Sequence, residues 1–183
     1  MSRHITVIIP TKNEELNITE CLKALKDWPH VIVLDSCSDD KTADIVETFN
    51  RELIVFNWNG LYPKKRNWAL DNIQIKTEWV LFLDADEIIS NTFSREFENV
   101  IRSNPDISAF WINYRQYYMG VELLFGERQR KLALFKHETI RYERVEADND
   151  VFDMEIHEHP IVSGKVSQLR SKIMHNDFKS VQH

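Results

Sequence analysis

Asp84-Ala85-Asp86-Glu87 puts three carboxylates directly behind the apolar run Trp79-Val80-Leu81-Phe82-Leu83. Hard divalent cations take oxygen ligands, often one or two carboxylates completed by substrate phosphates and water. Two Asp residues one position apart at a strand end can direct one carboxylate to Mg2+ or Mn2+, and the other to the same ion or to a sugar. The alternative is a solvated cluster at a helix start. The buried strand before it, and two further polar clusters in the same situation, favour the cation. The first is Asp35-Ser36-Cys37-Ser38-Asp39-Asp40-Lys41-Thr42. There a carboxylate at the strand end could accept hydrogen bonds from a nucleobase N–H or a ribose hydroxyl, a discriminating contact. Asp35 is the best candidate, because Asp39 or Asp40 is expected to cap the following helix. The second is Pro10 to Glu15. Lys64-Lys65-Arg66, followed by Asn67, could neutralise a diphosphate, although such a run is also what a solvated face looks like. Further along, Glu158 in His157-Glu158 could serve as a general base and His175 as a metal ligand, although taken by themselves these residues read more readily as structural. Phe110, Trp111, Tyr114, Tyr117 and Tyr118 could stack on a sugar or pack in the core. Cys37 has no His near it in sequence and is a poor nucleophile.

These residues need elements to hold them. Ile5-Thr6-Val7-Ile8-Ile9, Val31-Ile32-Val33-Leu34, Leu53-Ile54-Val55-Phe56 and Trp79 to Leu83 are short apolar, largely β-branched or aromatic runs, the pattern of buried strands. Between them, apolar residues recur at helical spacing from about Glu14 to Lys26 and from Lys41 to Asn50. Pro63 can open a short helix carrying Asn67 to Asn72, and a further helix is expected from about Thr92 to Arg102, ending before Pro105. Alternating strands and helices imply a parallel α/β sheet covered on both faces. In such sheets ligands bind beyond the carboxyl ends of the strands, where all three polar clusters lie. After Pro105 the rhythm changes. Ala109 to Tyr118 and Lys131 to Phe135 read as strands, and the chain from Arg141 onward reads as irregular. A single domain is expected over residues 1–183, with an α/β half at 1–104 and a mixed half at 105–183.

Composition sets the limits. The chain has 183 residues, 43% hydrophobic and 28% charged, with a net charge of −6. That is an ordinary globular balance, and its sign disfavours a nucleic-acid partner. Two cysteines suggest a reducing, cytoplasmic compartment and no disulfide framework. No apolar run approaches the roughly 20 residues that span a bilayer; peripheral membrane association stays open, as does the oligomeric state. With four glycines, neither a GxGxxG nor a P-loop sequence can be written, so phosphate binding would fall to metal and side chains.

In chain order, Val7-Ile8-Ile9-Pro10-Thr11-Lys12-Asn13-Glu14-Glu15, Leu34-Asp35 to Thr42, Lys65-Arg66-Asn67-Trp68-Ala69 and Leu83-Asp84-Ala85-Asp86-Glu87 resemble the successive motifs of the family-2 glycosyltransferases of the GT-A fold. The matches cover roughly the first 90 residues. His157-Glu158, Gly164 and His175 resemble, more loosely, the subgroup that includes lipopolysaccharide-core glucosyltransferases. The resemblance implies a Rossmann-like, mostly parallel sheet with helices on both faces and a mixed, partly irregular C-terminal half. It implies a nucleotide-sugar donor, most often a uridine nucleotide, lined by Pro10, Thr11, Asn13, Glu14 and Asp35. Lys65 and Arg66 would approach the diphosphate beside Asp84 and Ala85, with Mg2+ or Mn2+ held by Asp86 and His175. Glu158 would act as the base on a glycan or lipid-linked glycan acceptor. The sequence departs from the family pattern at Ser36, where many members have Asp, and at Cys37, a common Gly position. No Gln-x-x-Arg-Trp motif is present, which points to single-sugar transfer. A nucleotidyltransferase is a second reading, but the place of its Gly-rich basic loop is held by Pro10 to Asn13. A non-catalytic, donor-binding assembly subunit is a third.

Overall fold

The computed structural model describes residues 4–60, 62–118, 120–125, 129–143 and 159–178. The four expected strands form: β1 (Ile5–Thr11), β2 (Val31–Asp35), β3 (Glu52–Val55) and β4 (Trp79–Phe82). They lie parallel in the order β3-β2-β1-β4. The intervening helices are α1 (Ile18–Ala24), α2 (Thr42–Thr48) and α3 (Lys65–Asn72). The alternation of side chains along each strand explains the two covered faces. Val7, Ile9 and Leu81 pack with Ile18, Cys21 and Leu22 of α1 and Val46 of α2. Ile8, Val80 and Phe82 pack with Ala69 of α3.

The rest of the chain extends the same sheet: β5 (Glu87–Ile88), α4 (Asn91–Ser103), β6 (Ile107–Tyr118), β7 (Val121–Glu122), β8 (Arg130–Lys136), β9 (Ile140–Tyr142), β10 (Pro160–Val162) and β11 (Lys165–Phe178). The full order is β3-β2-β1-β4-β8-β6-β11-β5, with β7 on β6 and a separate β10-β9 pair. Pairings past β4 are antiparallel except β6 with β11. The sheet is thus parallel in its first half and mixed in its second. Helix α4 is anchored by Phe93 and Phe97, both fully buried. Phe97 meets Trp79 edge-on at 5.2 Å and Phe110 at 5.9 Å. Burying one such ring is worth about 1.5–3 kcal/mol, so α4 is firmly set against the sheet.

Four local expectations are corrected. Helix α1 starts at Ile18, not near Glu14; the backbone N–H groups of Glu14 and Glu15 ahead of it reach across to Thr42 Oγ1 and Asp40 Oδ2 (2.8 and 2.9 Å). Position Lys41, not Asp39 or Asp40, precedes α2, although Asp40 Oδ1 does accept the Thr42 N–H at 2.9 Å. Pro63 does not open α3: it follows a cis peptide, and the helix begins at Lys65. The segment from Arg141 is not irregular throughout, since residues 165–178 form the longest strand among the described residues. Its buried apolar residues Leu169 and Ile173 are separated by the polar Ser171, and the apolar Val166 and Met174 fall on the exposed parity, so the sequence shows no clean period-2 signal. Among the described residues no helix is long and apolar enough to cross a membrane.

Candidate functional site

Because β1, β2 and β4 are parallel neighbours, their carboxyl ends emerge on one rim, and the three polar clusters meet there. The first two are laced together. Asp35, buried at 3% exposure, accepts hydrogen bonds from Thr11 Oγ1 (2.8 Å), Ser38 N (2.7 Å) and Ser38 Oγ (2.5 Å). Asn13 N donates to Ser38 Oγ at 2.8 Å, and Asn13 Oδ1 accepts from Asp39 N at 3.0 Å. Lys12 Nζ donates to Cys37 O at 2.6 Å. A carboxylate offers about four lone-pair directions, so Asp35 keeps one on Oδ2 after bracing both loops. Asn13 and Cys37 both sit at φ 56°, in the left-handed region that favours glycine. At position 37 that backbone would suit the glycine that the sequence resemblance implies there. Pro10 ends the strand, and Glu14 lies half-buried in the brace, its carboxyl pushed up by burial, lowered by Asn17 and raised again by Asp86, Asp84 and Asp40.

The basic run comes in from α3. Lys65 Nζ donates to Thr11 O at 2.8 Å, tying the helix start to the end of β1. Arg66 reaches Asp84 Oδ1 at 3.4 Å and stacks over Tyr142, 5.6 Å from the ring centroid. Asn67, fully buried, is not a phosphate contact. Its amide pairs with the Tyr142 backbone in both directions at 2.9 Å, holding α3 against β9. Lys64 Nζ is buried and has no hydrogen-bond partner among the described residues, an unmet demand for an acceptor at the start of this helix.

The acidic triplet divides into two units. Asp84 is held by Lys131 Nζ, from β8, and by Arg66. Burial alone would raise its carboxyl, but Lys131 and Arg66 outweigh that and hold it below the usual range. Glu87 is the buried partner of this pair: it accepts from Tyr114 Oη (2.7 Å), Lys131 Nζ (3.4 Å) and Asp84 N (2.9 Å). Ala85 is buried at 2% and serves as the packed pivot between the two Asp residues. Asp86 points elsewhere, to His175 Nε2 at 3.2 Å. The His175 ring is held by Gln116 Oε1 at Nδ1 (2.8 Å), and Gln116 Nε2 in turn donates to Gln129 Oε1 (2.8 Å). With Nδ1–H donating, Nε2 faces Asp86, the orientation a metal-ligating imidazole needs.

Among the described residues no three His, Cys, Asp or Glu side chains gather as a self-sufficient metal cluster. Asp86 and His175 supply one oxygen and one nitrogen, which suits a cation completed by substrate phosphates and water. The residues therefore fit a divalent ion shared with a diphosphate.

The structure brings together Pro10, Thr11, Asn13, Glu14, Asp35, Lys65, Arg66, Asp84, Ala85, Asp86 and His175. Glu158 and His157 lie outside the described residues. Of the expected sugar-stacking aromatics, Phe110 is core, Trp111 lies under Arg130 at 4.7 Å, and Tyr114 is used on Glu87. Gly164 belongs to packing: it has φ 123°, and a Cβ there would meet Ser108 Oγ at 2.2 Å. Sequence reasoning missed Lys131, Gln116 and the bracing role of Ser38. Only the position of Lys131, the cation directly before the apolar run Leu132-Ala133-Leu134-Phe135, could have hinted at a buried counter-charge.

Comparison with known proteins follows this geometry. Residues 6–154 match the sequence profile "Glycosyl transferase family 2". The chain is 34% identical over 104 residues to an uncharacterized glycosyltransferase of Rickettsia bellii, covering 56% of this chain and 34% of that protein. It is 41% identical over 96 residues to the poly(ribitol-phosphate) beta-N-acetylglucosaminyltransferase TarS of Staphylococcus aureus, covering 46% of this chain and 16% of TarS. The chain thus spans about a third, or less, of the length of these curated relatives. The crystal structure of S. aureus TarS 1-349 superposes with a TM-score of 0.62 at 21% identity, over 94% of this chain and 60% of that one. That is a likeness of fold.

Proposed function

The chain belongs to glycosyl transferase family 2, with the fold of the GT-A enzymes, and from that premise we propose that it is an inverting, metal-dependent glycosyltransferase using a UDP-sugar. The family membership removes the nucleotidyltransferase reading. The observation that carries the proposal is the convergence on one sheet rim of the braced Asp35 loop, the Lys65-Arg66 helix start and the Asp86–His175 pair. In this reading residues 1–104 bind the donor and residues 105–183 serve the acceptor.

The nucleoside rests on the Pro10–Glu14 and Asp35 loops, where Asp35 retains one acceptor direction. Lys65 and Arg66 face the diphosphate, while Asp84 is held back from it by Lys131. Asp86 and His175 would hold Mg2+ or Mn2+, which supplies Lewis-acid stabilisation of the departing nucleoside diphosphate. Glu158 takes the proton of the acceptor hydroxyl as its oxygen attacks the anomeric carbon, and the bond from that carbon to the phosphate oxygen breaks with inversion. A glycan or lipid-linked glycan of the cell envelope is the proposed acceptor. The exposed Leu124 and Phe125 (78% and 94%), on the hairpin whose Leu123 N–H closes on Gln116 O at 2.8 Å, support an apolar part to it. Such an enzyme would work in the cytoplasm, at the inner face of the membrane.

Thermal unfolding with UDP, GDP, CMP and dTDP, each with and without Mn2+, tests the reading. A nucleotide at about 100 times its Kd stabilises by roughly 2.7 kcal/mol. We expect a shift with UDP that grows when Mn2+ is added. No shift with any nucleotide would sink the proposal.

Lys65 adds a second expected result. Burial pushes its ammonium down to about 8, with Asp35, Arg66, Asp84 and Glu14 adding smaller and partly opposing effects. A diphosphate beside it would restore the charge, so UDP binding at pH 8 should take up about half a proton. The uptake is measured by calorimetry in buffers of different ionisation heat, and should vanish in Lys65→Arg, which stays charged. Because the folded-state pKa lies below the ordinary 10.5, the unfolded chain binds more protons between the two values. The nucleotide-free protein therefore gains stability from this group as pH rises through that window. Binding enthalpy independent of buffer would place Lys65 away from the phosphates.

A further inference from the structure

His175 stands beside Asp86 only because β11 is out of step with β6. Gln168 pairs with Trp111 and Lys172 with Asn113, so β11 advances four residues while β6 advances two. In an unbroken register Gln168 opposite Trp111 would set His175 opposite Tyr118, roughly 6.6 Å further along the strand. With the two extra residues, His175 pairs with Gln116 on one side and Glu87 on the other, and Asn176 N donates to Asp86 O at 3.1 Å. The insertion is even, so the alternation of faces survives it: Leu169, Ile173 and His175 share one parity, and a single added residue would have turned His175 away.

A bulge leaves backbone donors without ladder partners. Here two of them, Arg170 N and Ser171 N, donate to Glu96 Oε1 and Oε2, each at 2.6 Å. Glu96 comes from α4, which is pinned by the buried Phe93 and Phe97 on either side of it in sequence. From β6, Asn113 Nδ2 donates to Leu169 O at 3.2 Å, and Gln168 Nε2 donates to Asn113 Oδ1 at 3.0 Å. The bulge is thus clasped from both sides. Burial would raise the Glu96 carboxyl, but the hydrogen bonds from Ser171 and Arg170 outweigh it and hold it below its usual range, so it is charged at neutral pH.

We propose that Glu96 is a positioning residue for the active site: its carboxylate holds the two-residue bulge of β11 that sets His175 beside Asp86. Its value to catalysis rests on the reading of His175 as a metal ligand given above. Bulges next to active sites often re-aim a side chain, and here the carboxylate that maintains the bulge is contributed by a separate helix, 74 and 75 residues away in sequence.

The test uses the whole chain with Glu96→Ala, Glu96→Gln and, as a control on the exposed face of the same helix, Arg95→Ala. The first readout is structural and needs no metal. In the wild type the Tyr114 and His175 rings, with centroids 5.4 Å apart, should show nuclear Overhauser contacts, and the Asn176 amide should be protected from exchange. In Glu96→Ala the ring contact should disappear and Asn176 should exchange about 10-fold faster or more, while Val33 and Leu34 in the central strands keep their protection. Retained ring contact and unchanged Asn176 protection would overturn the proposal. If Glu96→Ala fails to fold, Glu96→Gln decides the matter: it keeps one acceptor oxygen and should show the same changes in part, and a wild-type spectrum would overturn the proposal equally. The second readout is the Mn2+ concentration giving half of the metal-dependent gain in UDP binding. It should rise about 10-fold or more, as for other losses of outer-sphere support, and Glu96→Ala should add nothing on top of His175→Ala. A lost ring contact with unchanged Mn2+ dependence in both Glu96→Ala and His175→Ala would uphold the positioning role and remove His175 from the metal site.

Discussion

Lys131→Met should destabilise the protein by about 3 kcal/mol, read as a lower urea or thermal midpoint, because it strands a buried carboxylate. Glu87 keeps only 3% of its side chain exposed, and Lys131 is the single cation its carboxylate meets among the described residues. Tyr114 and the Asp84 N–H remain as donors, and Asp84 is itself 38% exposed, so the loss falls at the low end of the range for broken buried pairs. Adding Glu87→Gln to Lys131→Met should recover about 1 kcal/mol or more, since the uncompensated charge is then gone. Strict additivity of the two losses would show that Glu87 does not depend on Lys131. The pH dependence has a definite sign. Burial would lower the Lys131 pKa, but Glu87 and Asp84 outweigh it and raise it above 10.5. The stabilisation is therefore complete below about pH 10.5 and fades as pH climbs through the folded-state value. The gap between wild type and Lys131→Met should close at high pH.

Asp86→Ala is expected to lower turnover of a UDP-sugar by about 10²–10³-fold or more, the scale of removing one preorganised group that stabilises developing charge. The Mn2+-dependent part of nucleotide binding should go with it, while UDP binding without metal persists, because the Asp35 loop is braced by Thr11 and Ser38 and not by Asp86. Glu158→Gln should behave in the opposite way, with turnover lost and metal-dependent UDP binding kept. This pairing separates the two roles. Full turnover in Asp86→Ala would refute the metal reading, and full turnover in Glu158→Gln would move the base to another residue.

The four parallel strands, the three polar clusters behind them and their meeting on one rim were legible in the sequence. Each rests on local physics: apolar runs bury themselves, and polar residues directly after a strand project from its end. Asp35 and the Asp84-Ala85-Asp86 cluster could be chosen on that basis, whereas Lys65 and Arg66, at the start of α3, were marked by the family resemblance. The family motifs over roughly the first 90 residues led to the same places, and the profile match over residues 6–154 shows the family. The partners of those residues were not legible. Lys131 lies 47 residues from Asp84, and Tyr114 lies 27 residues from Glu87. Which cation neutralises which carboxylate depends on strand order, and β8 and β6 enter the sheet beside β4 through antiparallel pairing that no local pattern encodes. His175 makes the same point most sharply. Its residue type marked it as a candidate ligand, but its place beside Asp86 depends on a two-residue bulge in β11 and on Glu96 from a different element. The sequence by itself determined which side chains could do chemistry and at which strand ends they stand. Tertiary structure alone decided how they are paired and aimed, because register and counter-charge come from contacts between residues far apart in the chain.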